Sequence, residues 1–282
     1  MDLTGKTALV TGAGRGLGWG IARALADAGA KVCVTDINEA DITRSVGDIE
    51  TDGNEAYGVL LDVSNATAFK TVVDDVVTRW GRLDVLVHNA VYMPLESFEA
   101  TTPDDWWRQI DVGLGGLYNG TRAVWETMKA RGGGHIIGIA SGSSVRGYKD
   151  EVAYCALKHA QEGFVKALAL EAANFDIALN TVGPGKPIKT TRLTWEELAA
   201  LPEAEKQDWA DPVALGRAFV WLASQPPARF TGLRFDAGPI VDTLEVEGAG
   251  FEVAPEKVTL YVDDFEERQR WFENYESSGG AM

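Results

Sequence analysis

The stretch TGAGRGLG, residues 11–18, follows directly on the apolar run TALVTG (7–12) and opens a segment with helical periodicity. Glycines allow backbone N–H groups to approach a pyrophosphate, whose negative charge is favoured at a helix N-terminus. A glycine pattern alone is weak evidence, but here the strand, the turn and the helix follow one another in the required order. The stretch therefore predicts a dinucleotide-binding site.

The next strand-like run, KVCVTD (31–36), ends in Asp36, eighteen residues after Gly18. A carboxylate in this place accepts a hydrogen bond from a ribose 2′-hydroxyl and repels a 2′-phosphate. Arg15 is the cation of the glycine loop that argues the other way. We therefore expect NAD as the cofactor rather than NADP.

Short apolar runs alternate with longer helical stretches along most of the chain. Continuous apolar strands between helices indicate a doubly wound, parallel α/β sheet with helices on both faces. We expect one domain over residues 1–241, with a long substrate loop at 184–210, and an extension over 242–282. The predicted strands are 7–12, 31–36, 56–62, 83–90, 135–141, 177–183 and 233–238, and the predicted helices are 16–28, 38–51, 65–80, 103–130, 151–174 and 211–224.

Composition excludes several classes of partner. The 282 residues carry a formal net charge of −16, which argues against a nucleic-acid partner and against an anionic membrane surface. The N-terminal sequence lacks the features of a signal peptide, and no apolar run has the length of a membrane span. Two cysteines cannot form a disulfide framework, so we expect a cytoplasmic protein.

Tyr154 and Lys158 are four residues apart in a predicted helix, within AYCALKHA (153–160). Side chains at this spacing share one helix face. A cation within about 4–6 Å of a phenol favours the phenolate and lowers the phenol pKa. The pair is a candidate acid–base site, although the same spacing also arises often by chance.

Together these motifs resemble those of the short-chain dehydrogenase/reductase family. The matching elements are TGxxxGxG, Asp62-Val63, HNA (88–90), Ser141, Tyr154-x-x-x-Lys158 and Pro184-Gly185, and they run in the family's order from about residue 5 to residue 238. Ser141 precedes Tyr154 by thirteen residues, as is usual in the family.

The resemblance implies a Rossmann-type fold and a role for each matching residue. Tyr154 would exchange a proton with the substrate, Lys158 would lower the pKa of Tyr154 and bind the nicotinamide ribose, and Ser141 would orient the reacting oxygen. A homo-oligomer, either a tetramer or a dimer, is expected. The implied cofactor-binding residues are Gly12, Arg15, Gly16, Leu17, Gly18, Asp36, Asp62, Val63, Asn89, Ala90, Tyr154, Lys158, Pro184, Gly185, Ile188 and Thr190.

The sequence departs from the family pattern at three places. His88 stands where the first asparagine of Asn-Asn-Ala-Gly is usual, and PGKPIKT (184–190) is one residue longer than usual before Thr190. The asparagine expected in DVGLGG falls on Gly113. In the family, the backbone carbonyl at this position takes part in a proton relay, and a glycine keeps that carbonyl. The alternative explanation for Gly113 is close packing of the backbone. We expect Gly113→Asn to change the turnover rate modestly.

The substrate pocket implied by the family topology contains aromatic and basic side chains. The predicted residues are Tyr92, Arg146, Tyr148 and Trp195. The run 186–192 holds Lys186, Lys189 and Arg192 without an acid, which is compatible with an anionic or polyhydroxylated substrate, although incidental charges on a solvated loop are the simpler explanation.

Three functions are compatible with these features. The first is an NAD-dependent dehydrogenase of a secondary alcohol such as a sugar or a cyclic polyol. The second is an NAD(P)H-dependent carbonyl reductase that runs the reverse reaction. The third is a dinucleotide-binding regulatory protein without turnover.

Aromatic residues throughout 251–275 are expected to pack on the domain or on a neighbouring subunit.

Overall fold

The computed structural model describes residues 1–188, 193–248 and 250–251. Seven parallel strands form one sheet in the order β3-β2-β1-β4-β5-β6-β7. Helices cover both faces, so the predicted fold class is confirmed. The strands are β1 (Thr7–Thr11), β2 (Lys31–Asp36), β3 (Ala56–Leu60), β4 (Val85–His88), β5 (Gly134–Ile139), β6 (Ile177–Gly183) and β7 (Arg234–Asp236).

Ten α-helices occur in the described part of the chain. They are α1 (Gly16–Asp27), α2 (Glu39–Glu50), α3 (Ala66–Trp80), α4 (Pro103–Ile110), α5 (Gly116–Arg131), α6 (Val152–Ala172), α7 (Trp195–Ala200), α8 (Glu203–Lys206), α9 (Pro212–Ala223) and α10 (Ala237–Glu247). Helices α7 and α8 lie in the predicted substrate loop, where the sequence predicted no helix. Helix α10 crosses the predicted boundary at residue 241, so the extension begins within a helix rather than after one.

The two faces of the sheet hold two apolar cores. Helices α1, α2, α9 and α10 cover one face, and α3, α5 and α6 cover the other. Helices α1 and α9 pack closely through two glycines: a Cβ at Gly20 would lie 2.3 Å from a backbone atom of Pro212, and one at Gly216 would lie 2.6 Å from the Gly20 carbonyl oxygen.

The segment predicted as one helix over 103–130 is interrupted. Helix α4 is followed by a π-helical turn over Asp111–Gly115 before α5 begins at Gly116. Such turns inside α-helices are rare and frequently occur at functional sites. This one contains Gly113 and places the Gly113 carbonyl beside α6, as described below.

Phe251 is the last described residue and is buried against the domain. Its ring stacks on Trp221 of α9, with centroids 5.1 Å apart and planes 9° from parallel. The other tail aromatics, Tyr261, Phe265, Trp271, Phe272 and Tyr275, lie outside the described residues. No helix in the described ranges is long and apolar enough to cross a membrane.

Candidate active site

The strand order reverses between β1 and β4, which is the place where open α/β sheets bind ligands at the carboxyl ends of their strands. The register pairs Thr11 with His88 there. The Thr11 hydroxyl accepts hydrogen bonds from the backbone N–H groups of Asn89 and Ala90, each at 3.1 Å. The Asn89 amide in turn donates to the carbonyls of Thr11 and Gly12, at 3.0 and 2.8 Å. The loop after β4 therefore holds the glycine turn in place.

The glycine turn has the backbone that a phosphate cradle requires. Gly12 and Gly16 both have φ near +60°, where a side chain would be strained. A Cβ at Gly18 would lie 2.2 Å from the Gly12 carbonyl oxygen, whereas one at Gly16 would meet no described atom within 4 Å. Within the described ranges, no side chain caps the first turn of α1. The turn therefore fits a pyrophosphate, with open space and N–H donors together.

Asp36 is held at the edge of this cradle by backbone donors. Its carboxylate accepts hydrogen bonds from the N–H groups of Gly14 at 3.1 Å and Ile37 at 2.7 Å. The guanidinium of Arg15 lies 3.6 Å from the carboxylate of Asp41, so an acidic partner balances the charge of that cation.

A cavity of about 460 Å³ adjoins the glycine turn. Its walls come from the ends of β1 to β4 and from α4, which is where the adenosine half of a dinucleotide would lie. Nine of the predicted residues line this cavity: Gly12, Arg15, Leu17, Asp36, Asp62, Val63, Asn89, Ala90 and Tyr92.

A second cleft of about 290 Å³ brings Ser141, Tyr154 and Lys158 together. Ser141 follows β5, and the other two lie on α6. Among the predicted residues, Pro184, Ile188 and Tyr148 also line this cleft, and Leu17 and Asn89 connect it to the glycine turn. Gly185 follows Pro184 with φ of +64°, and Thr190 lies outside the described residues. The geometry thus assembles the three candidate catalytic groups beside the cradle.

The pKa of the Tyr154 phenol is raised, whereas the sequence led us to expect that Lys158 would lower it. Burial raises the pKa of Tyr154 to about 12, and a hydrogen bond with Ser141 opposes this rise only in part. The Lys158 ammonium lies 5.4 Å from the centre of the Tyr154 ring. Burial therefore outweighs the lowering of the pKa that the sequence led us to expect from Lys158, and Tyr154 is a neutral phenol at neutral pH.

Lys158 is buried and held by two acceptors. Its ammonium donates to the Ile139 carbonyl at 2.6 Å and to Oε1 of Gln161 at 3.0 Å. Burial lowers the pKa of Lys158 to about 8, and the negative charge of Glu162 acts in the opposite direction. Lys158 is therefore mostly charged at pH 7 and loses its proton at mildly alkaline pH.

The residues that depart from the family pattern contact one another behind Lys158. The Gly113 carbonyl lies 2.9 Å from Nε2 of His88 and accepts a hydrogen bond from Gln161 Nε2 at 3.1 Å. The other ring nitrogen of His88 lies 3.2 Å from the Thr11 hydroxyl. Burial lowers the pKa of His88 to about 3, so its imidazole is neutral. A buried network of side chains and one backbone carbonyl thus links Lys158 to the end of β1.

Sequence reasoning missed the buried charges beneath the cleft. Arg234 on β7 lies 3.7 Å from Glu162 and 3.5 Å from Asp236, and it donates to the Ser141 carbonyl at 3.2 Å. Thr181 donates to Glu162. The single signal in the sequence is the presence of charged residues in otherwise apolar strand and helix faces.

Three of the four predicted pocket residues lie outside the cleft that contains Ser141, Tyr154 and Lys158. Trp195 donates from its indole to the Gly14 carbonyl at 3.2 Å and packs edge-on against Trp19, so it covers the glycine loop rather than the substrate cleft. Arg146 is exposed, 5.9 Å from the centre of the Tyr148 ring, and does not line either cavity. Tyr148 lines the cleft, and Tyr92 lines the first cavity, where it donates to Asp105 at 2.9 Å.

A sequence profile of short chain dehydrogenases matches residues 6–200, which is more than half of the chain. The chain belongs to the short-chain dehydrogenase family. Membership makes it an oxidoreductase of the dehydrogenase kind, and it agrees with the placement of Ser141, Tyr154 and Lys158 in one cleft.

Individual relatives differ in their substrates. A 3-alpha-(or 20-beta)-hydroxysteroid dehydrogenase of Mycobacterium bovis is 35% identical over 91% of this chain and 98% of its own length. An L-fucose dehydrogenase of Oryctolagus cuniculus is 34% identical over 78% of this chain and 80% of its own. The crystal structure of a metagenomic short-chain oxidoreductase in complex with NADP superimposes with a TM-score of 0.71 at 28% identity, covering 83% of this chain and 98% of the other.

Proposed function

We propose that this protein is an NAD-dependent dehydrogenase that oxidises a secondary alcohol, such as a sugar, a cyclic polyol or another hydroxylated small molecule. The observation that carries the proposal is the meeting of Ser141, Tyr154 and Lys158 in one cleft that continues into the glycine cradle. The nicotinamide dinucleotide, when bound, exchanges the hydride with the substrate and, in its oxidised form, adds a positive charge near the phenol.

The chain's own residues handle the proton. Ser141 hydrogen-bonds the reacting oxygen and orients it toward Tyr154. During oxidation the deprotonated Tyr154 oxygen takes the hydroxyl proton, and during reduction the protonated phenol gives its proton to the carbonyl oxygen. A positioned acid–base group contributes about 10²–10⁴-fold to such a step. Lys158 supports the phenolate because it is a cation on the same helix face.

The preference for NAD rests on Asp36. Its carboxylate lies in the cavity where the adenosine ribose is expected, and backbone donors keep it there. The 2′-phosphate of NADP would oppose this charge at short range. Arg15, the cation that favours such a phosphate, already lies beside Asp41.

A carbonyl reductase is the second candidate. The raised pKa of Tyr154 favours the protonated phenol, which is the form that donates a proton to a carbonyl oxygen. Initial rates measured in both directions from pH 6 to pH 10 distinguish the two functions, because the rate of alcohol oxidation rises and the rate of carbonyl reduction falls as the pH increases.

We also propose that the protein is a homo-oligomer in a reducing, cytoplasmic setting. The side chains of Trp107 on α4 and Tyr118 on α5 are 60% and 52% exposed and supply apolar surface for a second subunit. Cys33 and Cys155 are both free thiols. Sedimentation velocity measures the oligomeric state directly.

The proposed activity is tested by Tyr154→Phe, which removes only the phenol oxygen. NADH formation is followed by absorbance during a screen of sugars, cyclic polyols and simple secondary alcohols. We expect turnover of the best substrate to fall at least about 10²-fold while NADH still binds. Tyr118→Phe removes the same atom from an exposed tyrosine and should leave turnover unchanged. Near-normal turnover by Tyr154→Phe would exclude the assigned role.

A further inference from the structure

The substrate cleft contains a carboxylate that the proposed reaction does not use. Glu151 lies three residues before Tyr154 and lines the same cleft as Ser141, Tyr154 and Lys158. Within the described residues, none of the ion pairs involves its side chain. A carboxylate beside a reacting centre affects substrate binding, because its oxygens accept hydrogen bonds from donor groups of a bound substrate.

The position of Glu151 is well determined by its surroundings. Asp150, just before it, has φ of +63°, a conformation that non-glycine residues seldom adopt. The Asp150 carbonyl accepts a hydrogen bond from the Glu96 N–H at 3.1 Å, and the Glu151 carbonyl accepts one from the Cys155 N–H at 2.7 Å. The first ties residue 150 to the loop after β4, and the second ties Glu151 to the first turn of α6.

A short chain of hydroxyls connects Glu151 to the reacting centre. The Ser143 hydroxyl donates to Oε2 of Glu151 at 2.7 Å, and the Ser141 hydroxyl donates to that of Ser143 at 3.3 Å. The carboxylate oxygen is therefore at most about 6 Å from the Ser141 oxygen that would orient the substrate. Its negative charge also contributes to raising the pKa of Tyr154.

We infer that Glu151 accepts a hydrogen bond from a second donor group of the substrate, one or two carbons from the reacting carbinol. The donor is a hydroxyl or an ammonium group, so the substrates of this enzyme are vicinal or near-vicinal diols, polyols or amino alcohols. A substrate carboxylate at that place would be repelled. Lys186, one of the three cations that suggested an anionic substrate, pairs with Asp242. The other two, Lys189 and Arg192, lie outside the described residues.

This inference rests on the proposed function and is tested with three probes that share one ring: cyclohexanol, trans-1,2-cyclohexanediol and trans-2-aminocyclohexanol. We expect kcat/KM of the wild-type protein to be at least about 10-fold higher for the better of the two disubstituted probes than for cyclohexanol, because a hydrogen bond to a charged group contributes that much or more. Glu151→Leu should bring this ratio close to one.

Two further variants separate substrate binding from a structural role of Glu151. Glu151→Gln keeps an acceptor without the charge, so it should retain preference for the diol and lose preference for the amino alcohol. Ser143→Ala breaks the same internal hydrogen bond but leaves the carboxylate, so it should keep the ratio. If Ser143→Ala lowers the ratio as much as Glu151→Leu does, Glu151 only supports the turn. Glu171→Gln, an exposed change near the end of α6, is the control.

Calorimetry of each probe with the protein and NADH provides a readout that does not need turnover. Diol or amino alcohol binding that is at least about 10-fold weaker in Glu151→Leu supports the inference. Equal binding of cyclohexanol and both disubstituted probes, unchanged in Glu151→Leu, overturns it even when the enzyme is active. Absence of turnover on every probe with intact, Glu151-dependent binding would contradict the proposed function and not the binding site.

Discussion

Gly113 is expected to be intolerant of any side chain, although it lies in a helical segment. A Cβ built on it would lie 2.5 Å from both methyl groups of Leu157 and 3.0 Å from the Leu157 Cγ. Leu157 is fully buried on α6, next to Lys158, and has little room to turn away. Gly113→Ala must therefore displace Leu157 or separate the π-helical turn from α6.

The magnitude follows from two opposing terms. Overpacking of a buried site costs about 1–3 kcal/mol. Replacing a glycine in a helix interior with alanine raises the free energy of unfolding by up to about 1 kcal/mol. We expect Gly113→Ala to lower the free energy of unfolding by about 1–2 kcal/mol, which corresponds to a fall in Tm of about 2–3 °C for a protein of this size.

Gly115→Ala is the matched control in the same turn. The nearest atom to a Cβ on Gly115 is the Ile110 carbonyl oxygen at 3.7 Å, an ordinary contact. This variant should be as stable as the wild type or more stable by up to about 1 kcal/mol. Urea denaturation followed by circular dichroism compares the two variants.

A double-mutant cycle tests the proposed cause. In a Leu157→Ala background the new methyl group enters the space that the leucine left, so Gly113→Ala should become neutral or stabilising. The reasoning is refuted if Gly113→Ala is at least as stable as Gly115→Ala, or if its cost is the same with and without Leu157. A larger Gly113→Asn change should lower both stability and turnover, which revises the modest effect expected from the sequence.

Three other outcomes are expected. Asp36→Asn keeps the shape and one acceptor but removes the charge, so the ratio of kcat/KM for NAD to that for NADP should fall by at least about 10-fold; a wild type that prefers NADP contradicts the assignment. Gln161→Leu removes an acceptor from the Lys158 ammonium, so kcat at pH 8 should fall about 10-fold and the alkaline limb of the pH profile should move to lower pH; a loss of stability with an unmoved limb indicates a purely structural role. Burial lowers the pKa of His135 to about 4, so the unfolded chain binds a proton that the native protein does not between about pH 6.5 and 4, and stability falls with falling pH in that window. His135→Gln should reduce that slope by about 1 kcal/mol per pH unit, measured by urea denaturation at several pH values between 7 and 4.

Local sequence patterns were sufficient to predict the strands of the sheet and the glycine-rich turn. The apolar runs predicted every strand to within a few residues, since a buried parallel strand needs a continuous apolar stretch whatever surrounds it. The glycines of 11–18 and the acid at Asp36 predicted the cradle, because its backbone and charge requirements are met by residues close together in the chain. Ser141, Tyr154 and Lys158 were found through their spacing and their resemblance to a known family, and the structure brings them into one cleft.

Tertiary contacts decided what those patterns could not. The helix predicted over 103–130 is interrupted at Asp111–Gly115. There Gly113 packs against Leu157, and the Gly113 carbonyl accepts a hydrogen bond from Gln161. Both partners lie more than forty residues away in the chain. Trp195 was expected in the substrate cleft but covers Gly14, because the path of a long loop depends on what it packs against. The pKa of Tyr154 likewise depends on burial by residues from several elements. Burial and long-range packing are properties of the assembled sheet and helices, so no window of sequence contains them.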